Sequence, residues 1–83
     1  MPRRQRALTT NQKLAASVLR LRRTRRWSQE ELAAQCGLHR TYVGAIERGE
    51  HNVTLDTVDQ LARGFDVEPI VLLQEHRVPP ATT

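Results

Sequence analysis

From Ser28 to Gly49 the chain reads SQEELAAQCGLHRTYVGAIERG, and the punctuation of this stretch decides the fold. Ser28 followed three residues later by Glu31 is a capping box, in which each side chain satisfies a backbone amide that a helix start leaves unpaired. Trp27 stands where a hydrophobic staple onto Leu32 is expected. The spacing predicts a helix from Gln29 to Cys36 that buries Leu32, Ala33 and Cys36. Gly37 follows, where a left-handed residue ends a helix without a steric penalty from a side chain. Leu38 then packs toward Val43, and a second helix spans about Arg40 to Arg48, buries Val43 and Ile46, and stops at Gly49.

Outward from this pair the pattern stays helical. Upstream, Leu14, Val18 and Leu21 recur at helical spacing, with Thr9, Thr10 or Asn11 as cap, and predict a helix to about Arg25. Downstream, GEHN is a polar loop, and Thr54 caps a helix carrying Leu55, Val58, Leu61 and Ala62 that ends at Gly64 or Asp66. Glu68 and Pro69 read as the cap and first position of a last short helix over Ile70, Val71, Leu72 and Leu73. Four aliphatic residues in a row also fit a strand. The expected fold is all-α with five helices in one domain over residues 9–75, between a flexible basic arm (1–8) and a flexible tail (76–83).

Eighty-three residues support one small core. A chain of this size hides only roughly 60% of its unfolded surface, which makes a partner subunit an expectation from the outset. Cys36 is the only cysteine, so an internal disulfide framework and a cysteine-rich zinc site are excluded. No run approaches a membrane span and the start lacks a signal-peptide core, so a cytoplasmic protein without a membrane partner is expected.

Enzymatic readings find no purchase. Ser17 and Ser28 are the only serines, and Ser28 is a cap. His39, His51 and His76 show no metal-ligand spacing with Cys36, and no glycine-rich phosphate loop exists. The pair Glu30 and Glu31 opens a helix, where the macrodipole favours negative charge. No metal, cofactor or small-molecule ligand is expected.

The net charge of +4 is unevenly divided. Up to Trp27 there are nine basic residues and no acidic one; all nine acidic residues follow, among only Arg40, Arg48, Arg63 and Arg77. Such asymmetry points to a polyanionic partner, nucleic acid before membrane, or else to a solvated arginine-rich helix face. Arg20, Arg23 and Arg26 fall on the polar arc of the first helix, where solvation suffices. Arg3, Arg4 and Arg6 fit either a DNA-contacting arm or a solubilising tail.

Two short helices turning at Gly37, the second offering polar residues at its start, make a helix-turn-helix of helices two and three. With its flanks, SQEELAAQCGLHRTYVGAIERGEHNVTLDTVDQLARGFDV resembles the Xre or phage-repressor-like helix-turn-helix family, closest in pattern to controller proteins of restriction–modification systems. The resemblance covers roughly Leu14 to Leu73.

It implies a sequence-specific regulator that binds double-stranded promoter DNA as a homodimer on inverted repeats, with autoregulation. By matching position, Arg40, Thr41, Gly44 and Ala45 would read bases in the major groove. Arg40 would pair with guanine or meet a phosphate; Thr41 would offer a methyl to thymine or a hydroxyl to phosphate. Gln29, Tyr42, Arg48, His51 and Asn52 would face the DNA backbone, with Tyr42 partly in the core and with base contacts open to Arg48, His51 and Asn52. Arg22 and Glu47 match a partly buried ion pair between helices one and three. Glu30 and Glu31 match acidic patches that touch RNA polymerase in some activators.

Gly44 costs about 1 kcal/mol relative to Ala in mid-helix. Close approach of DNA or of another helix is expected to offset that, with site shape carrying part of the specificity. The cluster Phe65, Val67, Ile70, Val71 and Leu73 is too apolar for a helix that only covers the core, so part of it is expected at the subunit contact. Two rival readings fit the same pattern: an antitoxin that masks a toxin, and a protein-interaction adaptor that has lost operator binding.

Overall fold

Thr9 settles where the first helix begins: its hydroxyl accepts from Gln12 N at 3.1 Å while its own amide donates to Gln12 Oε1 at 2.8 Å. The computed structural model describes residues 8–50 and 52–75. Their helices are α1 (Thr10–Thr24), α2 (Gln29–Cys36), α3 (Arg40–Glu47), α4 (Leu55–Phe65) and α5 (Pro69–Leu73), with no strand among the described residues. The expected capping box of α2 forms, with Ser28 Oγ accepting from Glu31 N at 3.0 Å and Glu31 Oε1 accepting from Ser28 N at 2.7 Å. Thr54 caps α4. Pro69 at the first turn resolves the ambiguous apolar run as helix, since its fixed φ suits that position and its missing amide costs nothing there.

Four helices end in the same way. A residue two or three past each end donates back into the last turn: Trp27 N to Arg22 O, Leu38 N to Ala33 O, Glu50 N to Ala45 O and Val67 N to Ala62 O, at 2.9–3.1 Å. This closure needs a left-handed residue in between, and Arg26, Gly37, Gly49 and Asp66 supply it with φ of 59°, 71°, 71° and 60°. Trp27, Leu38 and Val67 then fold onto the core. Arg26 adopts this conformation with a full side chain, a strain of about 1–2 kcal/mol, against the roughly 0.5–1 kcal/mol of extra chain entropy a glycine loses. Arg26→Gly is therefore expected to raise the melting temperature by a few degrees. A calorimetric scan showing no rise would mean that the Arg26 side chain contributes to stability in its own right.

Contacts run from α1 to α3 and α5, from α2 to α3 and α4, and from α4 to α5. Between them lie Leu14, Val18, Leu32, Ala33, Cys36, Val43, Ile46, Val58, Leu61, Ala62, Phe65 and Leu72. Helices α2 and α4 approach most closely at Gly64, where a Cβ would stand 2.3 Å from Cys36 Sγ and 3.1 Å from Gln35 O. Gly64 thus lies inside α4 as a packing residue and does not end the helix. Burial at this crossing pushes the Cys36 thiol up to about 11.

Phe65 is fully buried, which removes it from the expected subunit contact. Its ring stacks on Trp27 with centroids 5.8 Å apart. The guanidinium of Arg25 covers both rings at 5.3 and 5.6 Å and donates to the Phe65 carbonyl. Among the described residues the large apolar side chains left outside are Leu8, Leu55, 77% exposed, and Ile70, 60% exposed, and near Ile70 Val67, Val71 and Leu73 are half-buried.

Candidate nucleic-acid interface

Helix α3 has only eight residues and no side-chain cap, so neighbouring helices must hold it in place. Glu47 is the tie. Arg22 Nε and Nη2 of α1 donate to its two carboxylate oxygens at 2.6 and 3.1 Å, and Gln29 Nε2 of α2 donates to Oε1 at 2.9 Å. Arg22 Nη1 also donates to the Trp27 carbonyl at 2.8 Å. Side-chain exposure is 15% for Arg22 and 6% for Glu47. The hydrogen bond to Glu47 raises the Arg22 pKa, and burial opposes that rise. One carboxylate thus joins three helices, as the matched ion-pair positions implied.

Gly44 lies directly outside this tie. A Cβ there would stand 3.2 Å from Arg48 Nη1 and 3.6–3.7 Å from the Gln29 amide atoms. The close approach that a mid-helix glycine permits is therefore made by two side chains of the protein itself. Gly44 is buried and Ala45 is 7% exposed, so neither presents a surface to bases as expected. Gln29, expected to reach a phosphate, has its amide engaged with Glu47 inside the protein.

The outward face of α3 is then Arg40, Thr41 and Arg48, with Tyr42 half-buried and packed against the core. Arg40, Gly44 and Arg48 follow at four-residue intervals and so share one stripe. The side chains of Arg40 and Arg48 are each 58% exposed. Arg40 Nε lies 3.9 Å from Glu30 Oε2, and Arg48 Nε donates to Glu50 Oε2 at 2.8 Å. That hydrogen bond raises the Arg48 pKa. Asn52 is exposed, and His51 lies outside the described residues, as do Arg3, Arg4 and Arg6. Of the acidic pair, Glu31 is committed to the α2 cap while Glu30 is exposed.

Sequence reasoning overcounted the cationic face. Arg22 is spent on Glu47 and Arg25 on two aromatic rings, and Arg20 is half-buried, whereas Arg23 and Arg26 are exposed. It also passed over Asn11, whose amide donates to Gly49 O at 3.4 Å and ties the start of α1 to the end of α3. No local signal marks that contact, because it joins residues 38 apart.

The profile of the helix-turn-helix family matches residues 18–72. The chain belongs to that family. The control protein C.BamHI of Bacillus amyloliquefaciens is 50% identical over 46 residues, which are 55% of this chain and 57% of that protein. The match thus spans little more than half the length of that relative. Among solved structures, the restriction-modification controller protein C.AhdI from Aeromonas hydrophila superposes with a TM-score of 0.71 at 42% identity, covering 75% of this chain and 94% of its own. The controller protein C.Esp1396I, in a tetramer with its natural 35 base-pair operator, gives a TM-score of 0.72 at 27% identity, over 80% of this chain and 87% of its own. These relatives are named as control or restriction-modification controller proteins, not as enzymes.

Proposed function

We propose that this helix-turn-helix chain is the controller of a restriction–modification system. It acts in the cytoplasm and binds an inverted repeat in promoter DNA as a homodimer, regulating its own promoter among others. The observation that carries this reading is Arg40, exposed in the first turn of a helix whose orientation two others fix through Glu47. A major groove admits one helix, and an arginine at its leading end matches the two acceptors of guanine. Thr41 reads beside it, and Tyr42 and Asn52 meet the sugar-phosphate backbone. The controller bound to its operator, cited above, supports the same use of a similar fold.

Ile70 and Leu55, with the half-buried Val67, Val71 and Leu73, form the subunit contact, and the half-sites lie about one helical turn, roughly 34 Å, apart. Glu30 is the acidic group assigned to RNA polymerase. Footprinting the protein on DNA upstream of its own gene tests the reading, with two protected half-sites expected. Arg40→Ala is then expected to lose about 1–3 kcal/mol of discrimination at one guanine of each half-site. Equal weakening on every base-substituted operator would make Arg40 a phosphate contact.

A further inference from the structure

Resting on the reading of α3 as the DNA-facing helix, we infer that Arg48 is a second base-reading arginine and that Glu50 is the positioning residue that aims it. The resemblance placed Arg48 in a backbone clamp with base contacts left open, and Glu50 carried no role at all.

Four features of the structure converge on this pair. Long helical side chains lean toward the amino terminus, and Arg48 does so along the stripe that begins with Arg40. Its Nη1 comes to 3.2 Å from the point where residue 44 would carry a Cβ. A Cβ there would push the guanidinium aside by a few tenths of an ångström, so the glycine eases that path, which gives Gly44 a use beyond helix packing. The Gln29 amide, itself held by Glu47, stands 3.6–3.7 Å from the same point and walls the notch on the side of α2. On the other side Glu50 Oε2 takes the Nε proton at 2.8 Å. That leaves the terminal pair of nitrogens, Nη1 and Nη2, as the fork that matches guanine O6 and N7.

Glu50 is itself fixed. Its backbone N–H donates to Ala45 O at 3.0 Å, across the left-handed Gly49 that closes α3, so the helix end places the main chain from which the carboxylate reaches Arg48. A carboxylate at this place does two things. It restricts the guanidinium plane, and it offsets a charge that would otherwise seek any phosphate. Both favour base reading over indiscriminate backbone contact.

The test uses the full chain and two probes: a duplex selected by the wild-type protein from a random pool, with single base-pair substitutions, and an unselected random duplex. Binding is measured over a range of salt concentrations. Glu50 is exposed and its backbone bond survives substitution, so Glu50→Ala is expected to melt like wild type. It is expected to lose discrimination, on the order of tenfold, at one guanine–cytosine pair of the half-site. Arg48→Ala loses discrimination at that same pair, and the double variant loses no more than Arg48→Ala. On the random duplex Glu50→Ala binds more tightly, with a logarithmic salt slope steeper by about 0.9, the release expected for one added phosphate contact. Glu50→Gln keeps an acceptor for Nε and retains the discrimination.

Uniform weakening of Arg48→Ala on every sequence, or unchanged discrimination in Glu50→Ala, overturns the inference and leaves Arg48 a phosphate clamp. A wild-type chain that binds selected and random duplexes alike overturns the DNA reading of α3 itself, and this inference with it.

Discussion

Glu47→Ala is expected to destabilise the folded chain by about 3 kcal/mol, the low end of what removing one partner of a buried ion pair costs. For a domain of this size that is a fall in melting temperature on the order of 15 °C. The cause is what remains behind. Arg22, with a side chain only 15% exposed, keeps its bond to the Trp27 carbonyl but loses both carboxylate oxygens, and the Gln29 amide loses its acceptor as well. Replacing both charges, Arg22→Met with Glu47→Leu, is expected to recover most of the loss, because desolvating the pair offsets much of its Coulomb attraction. Circular-dichroism melts of the two single variants and the double variant measure the coupling. The exposed pair of Arg48 and Glu50 is the internal comparison, where breaking the pair is expected to leave the melt unchanged. A Glu47→Ala melt equal to wild type would show that the tie does not hold α3.

The contrast between these two pairs marks how far the sequence could be read. Local chemistry was legible. The Ser28 and Glu31 box, the Thr54 cap and the Gly37 and Gly49 stops each act within a few residues, and the helices begin and end where those signals place them. Arg22 and Glu47 are 25 residues apart, so no spacing rule joins them, and only resemblance brought them together. Gly44 and Ala45 are buried against expectation, since position along a recognition helix does not say what folds over it, and the side chains beside Gly44 come from Gln29 in α2 and from Arg48 a turn further on. Arg26 takes a left-handed conformation without glycine, so composition gives no hint of that turn, whereas Asp66 was one of the two ends offered for α4.

The last apolar cluster failed for a different reason. A helix of five residues is less than two turns, too short for periodicity to separate its buried side from its exposed one. Phe65 stands outside that helix: it ends α4 at helical spacing from Val58, Leu61 and Ala62, which places it in the core, while the short α5 leaves Ile70 undetermined by periodicity.

Phe65→Ala therefore separates the two placements, and unfolding of the monomer is the expected result. Truncating a buried phenylalanine costs about 3–5 kcal/mol, and a domain of this length holds only about 4–12 kcal/mol in all. The loss is compounded at this site, since Trp27 loses the ring it stacks on at 5.8 Å and the Arg25 guanidinium loses one of the two faces it covers. A melting temperature lower by 20 °C or so, or no cooperative transition, is expected. The Trp27 fluorescence should shift to the red as water reaches the ring. Ile70→Ser is the counterpart. Its side chain is 60% exposed, so the far-ultraviolet spectrum is expected to persist while sedimentation shows a smaller species. The proposed dimer would contribute to apparent stability by mass action, so the two variants are compared at one protein concentration. A Phe65→Ala chain that stays folded and merely dissociates would return Phe65 to the surface, and with it the arrangement of α1, α4 and α5 around the Trp27 stack.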